Sequence, residues 1–427
     1  MDGAIRSTRV LIDGDLRPAT VMWSGGLISS VAPYDAFPAG EGSDHGDLVV
    51  MPALIDSHVH VNEPGRTDWE GFATATAAAR AGGVAVIVDM PLNSIPPTTT
   101  VDALHLKKAA AEPVSMVDVG FWGGVVPGNL ENIESLAAEG VFGFKSFLVP
   151  SGVDEFPPIE IDDLVAVLTA TARVDRPLLV HAEAPGPIQS APAAGHDYAS
   201  YLASRPPEAE VEAIVALIDA VRRTGSAVHV LHLSAADALA PLAAARAEGL
   251  PITVETCPHY LTLCAEDVPD GRFDYKCAPP IREAANRERL WDALADGIID
   301  MVVSDHSPCP GAMKSEGFDR AWGGIGSLEL RLPVMWTAAV ERGHDIAALV
   351  SWLCAGPAAL VGREAAIRPG TQADLVIWDP DAALTVVPAD LAQRHKQTPY
   401  AGKTLRGRVV RTLVRGGARR GTLVSRP

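Results

Sequence analysis

Short apolar runs rich in β-branched residues alternate with alanine-rich helical patterns between residue 48 and about residue 361. This alternation is typical of repeated βα units on a parallel sheet. The candidate strands are VVMPALIDSHVHV, VAVIVDMPLN, VSMVDVGFW, VFGFKSFLV, PLLVHAE, AVHVLHLS, PITVETCPHYL and MVVSDHSP. Eight such units over roughly 300 residues predict an α/β fold of the (β/α)8 TIM-barrel type. An open, doubly wound sheet is the alternative.

The two ends of the chain have a different pattern, with short strand-like segments, frequent glycine and proline, and no long helical period. Residues 1–51 and 363–427 are therefore predicted to form one small β-sandwich domain beside a barrel of residues 52–362. The basic segment KTLRGRVVRTLVRGGARR lies in this domain. A solvated or subunit-facing strand explains it better than a nucleic-acid site does.

The composition of the chain indicates which binding partners and which cellular compartment to expect. The 35 Lys and Arg against 53 Asp and Glu give a net charge of −18, which argues against a nucleic-acid-binding surface. Five cysteines without C-x-x-C spacing argue against a disulfide framework. The sequence has no apolar core of signal-peptide length and no run of roughly 18 apolar residues that would span a membrane. We therefore expect a cytoplasmic protein with no nucleic-acid or membrane partner.

Six polar residues with metal-binding chemistry stand at the ends of predicted barrel strands. Barrel enzymes draw their functional groups from these strand ends. Histidine and aspartate are common zinc ligands, whereas a lysine amine is a poor ligand until it loses its proton. Each residue alone could be structural, as a core histidine, a salt-bridged lysine or a capping aspartate, but their coincidence favours a metal site. The residues are His58 and His60 on the first strand, Lys145 on the fourth, His181 on the fifth, His232 on the sixth and Asp305 on the eighth.

These segments resemble the cyclic amidohydrolases of the amidohydrolase superfamily, which include dihydroorotase, hydantoinase or dihydropyrimidinase, and allantoinase. The resemblance covers nearly the whole chain through PALIDSHVHVNEPGR, GFKSFL, HAE, HLS, CPHYL, APPIR, SDHSPC, ADLVIWDP and TPYAGKTLRGRV. Within the group, HVHVNEPGRTDWEGF, DMPLNSIPPT, FGFKSFLVPSGVDEFPP and GGIGSLELRLPVMW are similar to the allantoinases. Dihydroorotases typically carry an arginine after H-x-H to bind a substrate carboxylate, and Asn62 stands there instead.

The resemblance implies a hydrolase that opens the cyclic amide of allantoin to give allantoate, with hydantoinase or dihydropyrimidinase activity as the alternative. It also implies a homotetramer, two divalent metal ions with zinc foremost, and a lysine that carbon dioxide converts into a bridging carbamate. Asp305 would in addition transfer the proton from the attacking water to the leaving nitrogen. The implied ligands are Lys145 as the bridge, His58, His60 and Asp305 for one ion, and His181 and His232 for the other.

Recognition of a small, neutral, amide-rich substrate requires hydrogen-bonding groups around the reacting ring. Asn62, Asn93 and His259 are the candidate side chains, together with the backbone at Cys277 and Pro279. Alternatively, Asn93 is a structural turn residue, because asparagine near proline favours turns. For His259, an ordinary loop histidine with no contact to the substrate is an equally good interpretation.

Overall fold

Most strands of the molecule are short, parallel and buried, as the apolar runs predict. The computed structural model describes residues 1–37, 42–417 and 420–426. The predicted β domain also includes residues 38–41, 418–419 and 427, which lie outside the described residues. Along the described chain the strands are β1 (Gly3–Ile12), β2 (Asp15–Ser24), β3 (Leu27–Pro33), β4 (Gly42–Asp44), β5 (Val49–Pro52), β6 (Leu54–Val59), β7 (Val84–Asp89), β8 (Asp118–Phe121), β9 (Gly123–Gly124), β10 (Phe144–Phe147), β11 (Leu178–His181), β12 (Val228–Val230), β13 (Ile252–Thr256), β14 (Met301–Val302), β15 (Leu375–Thr385) and β16 (Thr404–Leu413).

Helices connect the barrel strands and cover the outside of the barrel. Among them, α7 shows how the sequence sets helix ends: proline opens the helix, two glutamates lie in its first turn, and Gly225 closes it with a left-handed φ of 69°. In the described chain the α-helices are α1 (Phe72–Ala81), α2 (Val101–Ala111), α3 (Ile133–Ala138), α4 (Leu164–Arg173), α5 (Pro185–Ser190), α6 (Tyr198–Ala203), α7 (Pro207–Thr224), α8 (Leu239–Ala247), α9 (Pro258–Thr262), α10 (Ala284–Ala295), α11 (Arg331–Glu341), α12 (Ile346–Val350) and α13 (Gly356–Leu360).

The barrel is a ring of parallel strands in chain order. Strands β6, β7 and β8 pair in parallel, as do β9 to β14. Only Trp122, the last residue of the predicted third strand, separates β8 from β9, so β8 and β9 together form the third strand of the barrel. The ring closes where Val59 forms a parallel bridge with His306 and where the His60 amide donates to the His306 carbonyl at 2.8 Å. The predicted (β/α)8 barrel is therefore confirmed, and the doubly wound alternative is wrong.

Both ends of the chain meet in one seven-stranded sheet beside the barrel. Its order is β16-β15-β5-β1-β2-β3, with β4 paired to β1. Strand β15 runs antiparallel to β5 and so joins the C-terminal part of the chain to the N-terminal part. The prediction of a small β domain from both chain ends is confirmed, while its residue limits stay a prediction. The described tail at residues 420–426 also reaches the barrel, because the Val119 amide of β8 donates to the Thr422 carbonyl at 3.0 Å.

Burial of the apolar strands holds the carboxyl ends of the barrel strands in place. Every residue of β7 is buried, and the apolar residues of β6, β10 and β11 belong to the same large core cluster. Each fully buried valine, leucine or isoleucine stabilises the fold by about 1.5–3 kcal/mol. Within the described residues, no helix combines the length and the apolar character needed to cross a membrane.

Candidate metal centre

The six predicted ligands come together at the carboxyl ends of the barrel strands. Parallel strands present these ends at the same face of a barrel, so residues far apart in sequence converge there. All six side chains are buried, with relative exposures between 0% and 7%. They are His58 in β6 and His60 just after it, Lys145 in β10, His181 at the end of β11, His232 beyond β12 and Asp305 beyond β14.

The ring of His58 lies between two carboxylates. Its Nδ1 is 2.5 Å from Oε1 of Glu255, and its Nε2 is 3.1 Å from Oδ1 of Asp305. Burial opposes a charge on His58, but Asp305 and Glu255 prevail and raise its pKa to about 9. A neutral ring donates from only one nitrogen. If Nδ1 donates to Glu255, Nε2 faces Asp305 as a lone pair, and a proton or a metal cation must lie between the two acceptors.

His181 and His232 form the second convergent pair. Nδ1 of His181 lies 3.0 Å from Nε2 of His232, while Nε2 of His181 lies 2.6 Å from a carboxylate oxygen of Glu183. Donation to Glu183 leaves Nδ1 of His181 as a lone pair directed at His232. Burial lowers the pKa of both histidines. Two neutral rings with adjacent nitrogens are the form in which imidazoles bind a metal.

Asp305 lies between the two histidine pairs. Its Oδ1 is 3.5 Å from Nε2 of His60, and burial lowers the pKa of His60 to about 4. Burial works against the ionised carboxyl of Asp305, yet His58 holds its pKa well below the usual range. Ligand atoms of His58, His232 and Asp305 all lie within 4.8 Å of one another. The donor set of nitrogen and carboxylate oxygen, with Nε2 of His58 lacking a hydrogen-bond partner in the described chain, fits a bound divalent ion.

Lys145 is buried in this cluster with a relative exposure of 1%. Its Nζ lies 4.6 Å from the ring centroid of Phe147, and no carboxylate of the described residues lies within ion-pair distance of it. Burial lowers the pKa of Lys145 to about 8, although Asp305 and Glu255 oppose this shift. At this pKa the amine is still mostly charged at neutral pH, but roughly a tenth of it is neutral, far more than for an exposed lysine with a pKa near 10.4.

Two of the candidate ligands have a strained backbone. His232 has a φ of 36° and Asp305 a φ of 43°, both in the left-handed region that favours glycine. Asn62 and Asn93 each have a φ of 66°. Such conformations cost of order 1–3 kcal/mol each and are typical of functional sites, where the surrounding fold imposes them.

A cavity of about 380 Å³ opens onto the candidate metal centre. His60, Lys145, His181, His232 and Asp305 form part of its wall, and His58 lies behind them. Catalytic pockets combine such a concave shape with a few converging polar groups. The cavity is therefore the candidate substrate site.

Of the predicted substrate contacts, only Asn93 lies on the wall of this cavity in the described structure. The backbone carbonyl oxygens of Cys277 and Pro279 each accept a hydrogen bond from a tyrosine hydroxyl at 2.7 Å. Nδ2 of Asn62 donates to a backbone carbonyl at 3.4 Å. His259 is buried, with both ring nitrogens unpaired within the described chain. Contact of all five predicted residues with a substrate, Asn93 included, stays a prediction.

Two buried glutamates that the sequence reading missed orient the candidate ligands. Glu255 contacts His58 and also accepts from Nε2 of His229 at 3.0 Å. Glu183 contacts His181 and pairs with Arg205, whose Nε lies 3.0 Å from its carboxylate. Carboxylates of this kind fix the tautomer and direction of metal-binding histidines. A carboxylate inside an apolar strand, as in ITVET, is the sequence signal that indicates Glu255.

Known proteins are similar to this chain in both sequence and fold. The family model for the amidohydrolase family matches residues 49–419. The allantoinase of Streptomyces avermitilis is 52% identical, covering 96% of this chain and 94% of that protein, and the allantoinase of Saccharomyces cerevisiae is 42% identical over 97% and 94%. The solved L-hydantoinase (dihydropyrimidinase) from Arthrobacter aurescens has a TM-score of 0.92 at 32% identity, covering 99% of this chain and 98% of that one.

The chain belongs to the amidohydrolase family, a family of metal-dependent hydrolases with TIM-barrel folds. Within that family it is a cyclic amidohydrolase, an enzyme that hydrolyses C–N bonds of cyclic amides. The resemblance identified from the sequence is therefore confirmed.

Proposed function

We propose that the chain is an allantoin hydrolase that opens the hydantoin ring at a cyclic amide bond to give allantoate. The observation that carries the proposal is the pair formed by Nε2 of His58 and Oδ1 of Asp305, 3.1 Å apart and buried at the base of a cavity. The two acceptors need a proton or a metal cation between them, and a bound metal would meet that need, as in a metal-dependent hydrolase. The choice of allantoin is supported by full-length relatives that are allantoinases at 40–52% identity.

The proposed ions are two divalent metals, zinc foremost, with carbon dioxide bound to Lys145 as a carbamate that bridges them. Bound ions of this kind lower the pKa of water and polarise a carbonyl group. A neutral lysine amine is needed for the reaction with carbon dioxide, and the lowered pKa of Lys145, about 8, supports this step. The proposed ligands are His58, His60 and Asp305 for one ion, His181 and His232 for the other, and Lys145 between them.

Asp305 is the proposed proton carrier of the reaction. Water adds to the ring carbonyl, the C–N bond breaks, and the ring nitrogen takes up one proton of the water. The carbonyl carbon becomes a carboxyl group, which ionises to a carboxylate by releasing the other proton to solvent. His58 holds the pKa of Asp305 well below its usual range, so the carboxylate is ionised and carries no proton of its own before the reaction. The same carboxylate would take up the water proton and deliver it to the leaving nitrogen. Its position on the cavity wall supports this role.

Substrate contacts are proposed for Asn62, Asn93, His259 and the backbone at Cys277 and Pro279. Asn93 has the most support, because its Oδ1 is buried without a partner among the described residues and the residue lines the cavity. An unpaired buried acceptor favours a ligand that donates a hydrogen bond. The N–H groups of allantoin are donors of this kind.

We further infer a cytoplasmic homotetramer. The five cysteines are all buried and unpaired within the described residues, which supports a reducing compartment. Light scattering on the purified protein should give a mass near four times the 44.8 kDa of one chain. A monomeric mass at working concentration would contradict the proposed assembly.

Hydantoinase or dihydropyrimidinase activity is the competing function, and the likeness to the solved L-hydantoinase favours it. A panel of allantoin, hydantoin and dihydrouracil, assayed with the metal-supplemented protein, separates the two. We expect kcat/KM to be highest for allantoin. Preference for either of the other rings would contradict the proposed substrate.

A further inference from the structure

Lys276 lies on the wall of the same cavity but outside the candidate metal centre. It is half-buried, and its Nζ lies 4.9 Å from the ring centroid of Tyr201. Its backbone is fixed, because its carbonyl accepts from the Gly324 amide at 2.8 Å and from Nζ of Lys314 at 3.1 Å. The residue thus holds a positioned ammonium at the cavity surface.

This ammonium lacks the partners that other charged groups around the cavity have. Arg205 pairs with Glu183, and Arg320 lies 3.8 Å from Asp319. Lys314 donates to two backbone carbonyls. Within the described residues, Nζ of Lys276 has no hydrogen bond or ion pair, only the face of the Tyr201 ring. A half-buried ammonium in this state favours a ligand that supplies an acceptor.

Lys276 remains largely charged at neutral pH. Burial and the neighbouring cations Lys314 and Arg205 lower its pKa to about 8, against the opposing effect of Asp319. It therefore offers charged donors, whose hydrogen bonds are stronger than those of neutral donors.

A complementary acceptor is present on the same wall. Oδ1 of Asn93 is buried without a partner in the described chain, and so is the donor Nε1 of Trp322. Besides Lys276, two residues of the wall thus carry a buried, unpaired polar atom, one an acceptor and one a donor, away from the candidate ligands. A ureido group has the matching pattern, with one carbonyl acceptor and several N–H donors.

We propose that Lys276 is a specificity-determining residue that donates to the carbonyl of the substrate's ureido arm, while Oδ1 of Asn93 accepts from a ureido N–H. This inference rests on the proposed function, because it concerns the part of allantoin that hydantoin lacks. It predicts that Lys276 contributes to binding of the arm and not to hydrolysis of the ring. A site built to pair a polar group discriminates strongly against ligands without that group.

The test compares Lys276→Met with the wild type in initial rates of allantoin hydrolysis, using hydantoin as a competitive inhibitor. We expect Lys276→Met to lower kcat/KM for allantoin by about tenfold or more, through KM, because a charged hydrogen bond is lost. The inhibition constant of hydantoin should change by less than about twofold, since hydantoin has no arm to bind. Lys276→Gln should likewise lower kcat/KM for allantoin and leave the inhibition constant of hydantoin nearly unchanged. It serves as a second variant in case Lys276→Met misfolds.

Lys403→Met is the matched control. Its Nζ lies 5.9 Å from the ring centroid of Tyr400 and the residue lines a different cavity, so both constants should keep their wild-type values. Equal losses for allantoin and hydantoin in the Lys276 variants, or no loss for allantoin, would overturn the inference. A wild-type protein that leaves allantoin intact would instead overturn the proposed function.

Discussion

At the scale of single residues, the proton on His58 links the electrostatics of the site to metal binding. With Glu255 on one nitrogen and Asp305 on the other, the metal-free ring has a pKa of about 9 and carries a proton at neutral pH. A metal ion that binds Nε2 must displace that proton. His60, with a pKa of about 4, has no proton to lose at neutral pH.

We therefore predict that metal affinity rises with pH through the displacement of the His58 proton. The folded pKa is raised, so the protonated form dominates below about pH 9, and each lower pH unit should cost at least about tenfold in affinity. Competition with a chelator of known affinity between pH 6 and 8 measures this slope. An affinity independent of pH over that range would contradict the proposed role of His58 as a ligand.

Lys145 gives the second prediction at this scale. Lys145→Ala should lose bound metal and lower activity by more than the ~10–100-fold typical of residues that only support ligands. A short free carboxylic acid should restore part of the activity, because it can occupy the space of the proposed carbamate. Metal content and initial rate are measured together for each variant.

Lys145→Arg is the control for charge, since arginine keeps a cation but does not readily lose a proton. It should be inactive. Substantial activity of this variant at wild-type metal content would rule out the carbamate bridge and favour a cationic or structural role for the lysine.

At the scale of elements, the sequence predicts the barrel strands and the residues at their ends because both depend on local patterns. Apolar runs mark the strands, and His58 or Asp305 stands out as a polar residue at the end of such a run. Glu255 and Lys276 were not predicted, because their roles depend on which groups face them across the barrel. The pairing of the chain's tail with β8 has no local signal in the sequence either.

The tail pairing yields a prediction about one glycine. A Cβ at Gly421 would lie 1.8 Å from the Val117 carbonyl oxygen, so Gly421→Ala should displace the tail from β8. We expect a loss of about 1–3 kcal/mol in the free energy of unfolding, measured by denaturant titration. Gly186→Ala, where the nearest atom is a flexible glutamate oxygen at 4.0 Å, is the control and should not lower this value, because alanine is favoured over glycine in helix α5.

If the tail contributes nothing to stability, Gly421→Ala and the control variant should have the same free energy of unfolding, which would contradict this prediction. Activity should change little in either variant, because the tail lies on β8 and not at the cavity wall.

At the scale of the whole molecule, the β domain and the candidate metal centre are parts of one continuous structure. Strand β5 of the β domain leads into barrel strand β6 after the single residue Ala53, and β6 carries His58. Strand β15 then pairs with β5 and joins the C-terminal part of the chain to the same sheet. The pattern at the chain ends predicts this domain, whereas the order of its strands depends on contacts between distant segments.

The central claim is that this chain hydrolyses allantoin with the help of two metal ions. Its most direct test is allantoate formation as a function of metal bound per chain, measured on chelator-treated protein reconstituted with zinc. We predict no hydrolysis by the metal-free protein and a rise to full activity as about two equivalents bind. Full activity of the metal-free protein, or intact allantoin after two equivalents have bound, would contradict the account.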